Sequence, residues 1–194
     1  MLENDTPSSA TDQHLLTARR RAEEAVAAAL AELLPASRQI TVTVGVPDSV
    51  ELAQAQSWLA DGQLTAADAS RRLGVAVAEP ELVGWVSQWP VSAQGLGTVA
   101  ATSASPATDP ATLAVDLADW LQQFLADGGV SAPTPPCPHH PHPMRPVVHQ
   151  TAPWWACPGE GLVRAWAPSS GEPFRGGRGR EPRRRTTPSQ TRPC

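Results

Sequence analysis

The sequence predicts a mainly α fold with a minor α+β component: a small helical domain with one or two short strands, then a Cys/His hairpin and a disordered tail. Three observations carry that expectation. Two segments repeat apolar residues at helical spacing, only one segment before residue 140 alternates convincingly as a strand, and the composition changes near residue 130. Residues 1–130 hold sixteen acidic residues against six arginines, a net charge of −10, whereas residues 131–194 hold three against nine, a net of +6. That second part also carries 14 of the 21 prolines. Pro-rich, weakly apolar sequence buries too little surface to offset an ordering cost of roughly 1–2 kcal/mol per backbone residue. The expected division is therefore a disordered 1–10, an acidic helical domain over 11–130, a Pro/His/Cys segment over 131–160 and an Arg-rich disordered tail over 161–194.

The first helix is expected from about Asp12 to Leu34, capped by Thr11 and stopped by Pro35. Leu15, Ala18, Ala22, Val26, Ala29, Leu30 and Leu33 form its apolar stripe. Ile40, Val42, Val44 and Val46 alternate with Thr41, Thr43 and Gly45, giving a strand with one buried face. Its partner is expected in Val75–Ala78, in Thr98–Ala101 or in a second copy of the same strand. Asp48 or Ser49 starts a helix to Ala60, and Thr65 starts another to Leu73, ended by Gly74. Pro80 opens a third helix to about Trp89. Gly95–Asp109, small and Ser/Thr-rich, reads as a flexible linker (95–109). Asp109-Pro110 then begins a strongly amphipathic helix through Asp127, with Leu113, Leu117, Trp120, Leu121, Phe124 and Leu125 on its stripe. Trp58, Trp85, Trp89 and Trp120 are the expected aromatic core.

Every basic residue is arginine, tyrosine is absent and isoleucine occurs once, at Ile40, a bias that points to a high-GC bacterial coding sequence. Met1–Ala10 has no apolar core of a signal peptide, and no apolar run approaches the roughly 20 residues that cross a bilayer. With three cysteines, an odd number, the thiols read as reduced or metal-bound, and the expected compartment is the cytoplasm.

The chemistry lies between residues 137 and 158. Cys137-Pro-His-His-Pro-His-Pro143, a spacer with His149, and Trp154-Trp-Ala-Cys-Pro158 bring four of five histidines beside two of three cysteines. Zinc takes about four nitrogen or sulfur ligands in a tetrahedron, and Cys-x₂-His offers two of them one tight turn apart. Met144–His149 and Trp154–Cys157 are expected to pair across Gln150–Pro153. An isolated hairpin is marginal in water, and structural zinc, contributing on the order of 10–16 kcal/mol in small peptides, would more than offset the deficit. The expected metal ligands are Cys137, His140, His142 and Cys157, with His149 as the alternative fourth. A solvated segment with idle thiols, or a Cys137–Cys157 redox pair, explains the same residues. The pattern Cys-Pro-x-His-x-His-Pro…Trp-Trp-x-Cys-Pro resembles the C-terminal end of small uncharacterised actinobacterial proteins. That resemblance implies a structured end and no known activity. It also implies a chain that stops soon after the second Cys-Pro.

Here the chain continues through Arg175–Arg180 and Arg183–Arg185 to Cys194. Seven arginines over Arg175–Arg192 fit an arm for nucleic acid or another acidic partner. Out-of-frame translation beginning near Gly159–Arg164 yields the same mix of residues. Residues 65–86 look like a helix-turn-helix, but its recognition helix would begin Glu79-Pro80-Glu81, which sets carboxylates against phosphate. Nucleic acid is thus an unlikely partner. With no phosphate loop, nucleophile elbow or His-Glu-x-x-His helix, the expected function is a non-enzymatic cytoplasmic protein-interaction module with a structural zinc site. The alternative is a nucleic-acid-associated regulator using residues 65–86 and the tail.

Overall fold

The computed structural model describes residues 11–62, 64–132 and 134–167. Helix α1 (Thr11–Glu32) lies along helix α5 (Pro110–Asp127). Ala18, Ala22 and Ala29 of α1, each no more than 1% exposed, keep the contact thin, while Leu113, Leu117, Leu121 and Leu125 of α5 fill it. Asp109 caps α5 by accepting from the Thr112 amide at 3.0 Å, as its position before Pro110 predicts.

The fold is α+β rather than mainly α, because two three-stranded antiparallel sheets stand beside the helices. The first orders β1 (Ile40–Val44), β2 (Trp89–Gly95) and β3 (Thr98–Ala104). Strand β1 pairs with β2, which was none of its expected partners. Two sequence features hid β2 and β3. Trp89-Pro90 reads as a helix stop, and proline is rare inside central strands. Pro90 is tolerated because it lies just beyond the last β1 pair, Val44↔Val91, where its carbonyl accepts from the Gly45 amide at 2.8 Å. A Cβ on Gly45 would come within 2.9 Å of the Pro90 ring. Strand β3, expected as linker, shows period 2 only in its burial. Its outer residues Val99, Ala101 and Ser103 face solvent, and its inner ones are small. Leu96 and Gly97, both at positive φ (54° and 76°), make the tight turn that joins β2 to β3.

Between β1 and β2 lie α2 (Ser49–Ala60), capped by Asp48, and α3 (Ala66–Leu73), capped by Thr65 and closed by Gly74 at φ 67°. The third helix is much shorter than expected: a 3₁₀ turn at Glu79–Glu81 leads into α4 (Leu82–Val86). Leu82, Gly84 and Trp85 of α4 are buried, and a Cβ on Gly84 would meet Leu15 of α1 at 2.9 Å. The second helix of a helix-turn-helix over residues 65–86 would be α4, which has only five residues, three of them buried. Trp85 and Trp89 are core residues, whereas Trp58, expected with them, is 39% exposed.

The second sheet orders β4 (Arg145–His149), β5 (Ala152–Cys157) and β6 (Gly161–Ala165). The expected hairpin is present as β4–β5. Strand β6 extends the ordered structure past the boundary expected at residue 160, and Trp166 stacks on Trp155 with ring centroids 5.3 Å apart. Residues 1–10 and the arginine-rich stretch from Arg175 lie outside the described residues. Among the described residues, no helix is long and apolar enough to cross a membrane.

Candidate metal centre

Prolines shape the site first. Pro136, Pro138, Pro141 and Pro143 donate no amide hydrogen, so this stretch cannot extend the β4 ladder and folds instead into a closed loop. The Cys137 amide donates to the His142 carbonyl at 3.1 Å and the Met144 amide to the Pro135 carbonyl at 2.9 Å. That closure turns Cys137, His140 and His142 toward one point. Cys157, the last residue of β5, reaches the same point from the other side. Pro158 starts a turn there that directs the Gly159 amide at the Cys157 sulfur, 3.3 Å away.

The ligand atoms of Cys137, His140, His142 and Cys157 all lie within 4.8 Å of one another. His140 Nδ1 is 3.5 Å from the Cys137 sulfur and 3.4 Å from the Cys157 sulfur, and His142 Nε2 is 3.9 Å from the Cys157 sulfur. Both cysteines are free thiols, Cys137 7% and Cys157 2% exposed. One imidazole lone pair accepts a single thiol hydrogen, so His140 Nδ1 can take one sulfur while His142 Nε2 faces the other. The four ligand atoms are close enough together to hold a metal ion.

The far nitrogens are also provided for. His142 Nδ1 lies 2.9 Å from the Pro143 carbonyl, which can only accept, so Nδ1 carries the hydrogen and Nε2 offers its lone pair inward. His140 Nε2 lies 3.8 Å from Glu160 Oε1. The two rings stack nearly parallel, with centroids 5.1 Å apart. Glu160, the only donor shortly after Cys157, thus faces the back of a ligand rather than the ion position. His149 is not in the cluster; at the far end of the β4–β5 hairpin it meets Trp154 edge to face. His139 is exposed.

Sequence reasoning missed how the site is tied to the helices. Glu32, its side chain only 7% exposed, accepts from Trp155 Nε1 at 2.7 Å and from the Ala167 amide at 2.6 Å, and pairs with Arg164 at 2.8 Å. From α5, the Gln122 amide donates to the Thr134 and Met144 carbonyls at 2.6 and 2.8 Å. A signal existed for Glu32. It is an acidic side chain in the last turn of α1, where the helix dipole disfavours negative charge, beside the stripe residue Leu33. No family model, curated protein or solved structure matches the chain.

Proposed function

We propose that this chain is a non-enzymatic, cytoplasmic protein-interaction module whose C-terminal sheet folds around one structural zinc ion, bound by Cys137, His140, His142 and Cys157. The convergence of those four ligand atoms carries the reading. A tetrahedral zinc ion, with Zn–S of about 2.3 Å and Zn–N of about 2.05 Å, sets sulfur and nitrogen ligands about 3.5 Å apart. The observed sulfur–nitrogen separations of 3.4, 3.5 and 3.9 Å span that value. Two thiolates with two imidazoles are a donor set that suits zinc over magnesium or calcium, which prefer oxygen. Four protein ligands leave no position for water, which favours a structural ion over a hydrolytic one. Buried free thiols suit a reducing compartment.

The interaction role has separate support. Val50, Trp58 and Val75 on α2 and beside α3 are 73%, 39% and 42% exposed and leave apolar side chains on the surface for a partner to cover. Metal analysis of the purified full chain tests the zinc reading. One equivalent of zinc is expected, and none in a Cys137→Ser, Cys157→Ser double variant. Equal metal content in both proteins, or none in either, refutes it.

A further inference from the structure

The four ligands come from two pieces of chain, and each piece is fastened to a different helix. Cys137, His140 and His142 belong to the closed loop whose flanking carbonyls, those of Thr134 and Met144, both accept from Gln122 of α5. Cys157 ends β5, and Trp155, two residues earlier on that strand, donates its indole hydrogen to Glu32 of α1. Glu32 also takes the Ala167 amide and Arg164, so it gathers β5 and the end of β6 onto one carboxylate. Glu32 and Gln122 lie outside the ligand set, and both are on the packed pair α1 and α5.

From this arrangement, and resting on the zinc reading above, we infer that Glu32 and Gln122 are positioning residues for the metal centre: they hold the two halves of the ligand set at the spacing one ion needs. The physical argument is the cost of ordering. A metal site assembled from two free segments must bring them together on binding, whereas clamps on a rigid helix pair meet that cost during folding. Glu32 is the stronger clamp. It is a buried anion whose three donors would lose their partner together, and charge-assisted hydrogen bonds are about twice as strong as neutral ones. Coupling of this kind is reciprocal. Whatever the clamp adds to zinc affinity, zinc adds to the seating of β4–β6 on α1, so metal occupancy governs whether Trp155 and Trp166 stay docked.

The test measures zinc affinity of the full chain by competition with a chromophoric chelator. Glu32→Ala is expected to weaken zinc binding at least tenfold and Gln122→Ala about threefold. Glu32→Gln, which keeps one acceptor oxygen but not the charge, should recover part of the loss. Trp89→Ala, a core change in the first sheet, serves as the control for general destabilisation and should leave zinc affinity within twofold of wild type. Zinc removal from wild type should raise hydrogen exchange at the Ala167 amide at least tenfold. Where Glu32→Ala does not fold, Trp155→Phe, which deletes the indole donor along with part of the ring stacked on Trp166, is measured instead and should weaken binding about threefold. Zinc affinity unchanged in the Glu32 or Trp155 variant, or lowered as much in Trp89→Ala, overturns the inference while leaving the zinc site standing. Wild-type protein that binds no zinc overturns both.

Discussion

The two sheets of this molecule have the same strand count and the same antiparallel order, yet they are held by different forces. In β1–β2–β3 the inner row Trp89, Val91 and Ala93 of the central strand is wholly buried against helices, each at 0% exposure. That sheet is secured by area. In β4–β5–β6 the inner residues are fewer, and β6 is largely exposed. It is secured at points: the ligand cluster at the Cys157 end, and, two residues along β5, Glu32 together with the stacked pair Trp155 and Trp166. Segments of this size rarely build a sufficient core of their own, and metals commonly make up the difference. The turns differ in the same sense. The β2–β3 turn places glycine at its second positive-φ position, whereas the β4–β5 turn holds Gln150 at φ 49° and Thr151 at φ 63°. A β-branched residue there is strained, so the second hairpin does not close by local preference alone.

The comparison breaks most visibly if metal is withdrawn. Chelation, or the double serine variant, is expected to remove protection from the amides of β4–β6 while β1–β3 keep theirs. With zinc bound as proposed, the lost contribution would be on the order of 10 kcal/mol for the C-terminal segment. Hydrogen exchange followed by mass spectrometry reads both sheets at once, and loss of protection in both, or in neither, would contradict the division. The converse variant is Trp89→Ala. It removes a side chain at 0% exposure whose Nε1 donates to the Gly84 carbonyl at 2.7 Å, and should cost about 3–5 kcal/mol in denaturant unfolding. Thr151→Gly sharpens the contrast from the other side. Relieving positive φ at that turn should stabilise the C-terminal sheet by about 1 kcal/mol. The gain should be easiest to see in metal-depleted protein, as a slower exchange of β4 and β5.

Legibility in the sequence followed the same divide between local and distant causes. Asp48, Thr65, Gly74, Asp109 and Pro110 mark helix ends through bonds made within a few residues, and each stands where the chain order suggests. The convergence of Cys137, His140, His142 and Cys157 was readable because cysteine and histidine are rare here and cluster within one short segment. What stayed hidden depends on partners far along the chain. Strand β3 buries only small residues, so Thr98–Ala104 has the composition of a linker until β2 is placed beside it. Trp89-Pro90 carries the marks of a helix end until Gly45 is seen to close the ladder there. Glu32 meets Trp155 across 123 positions and Ala167 across 135, separations no periodicity records.

A smaller effect separates the acid responses of the two regions. Glu81 accepts from the Ala78 amide at 2.9 Å and from the Thr17 hydroxyl at 2.8 Å, tying the start of α4 to α1. The backbone hydrogen bond from Ala78, then the bond from Thr17, hold its carboxyl below the usual glutamate range, against a smaller opposing effect of burial. A carboxylate so depressed binds fewer protons folded than unfolded. Its stabilisation is therefore complete above the ordinary glutamate value of about 4.3 and is lost as pH falls through the lowered folded value. Glu81→Gln should cost below about 1 kcal/mol at neutral pH, since the amide oxygen still accepts one of the two bonds. The same variant should flatten the fall in stability of the helical region below about pH 4.3. Denaturant midpoints for wild type and variant, measured between neutral pH and the acid limb, should converge as acidity increases. A constant gap across that range would mean that the carboxylate's charge adds nothing, and that α4 is held against α1 by Leu15, Leu82 and Trp85 alone.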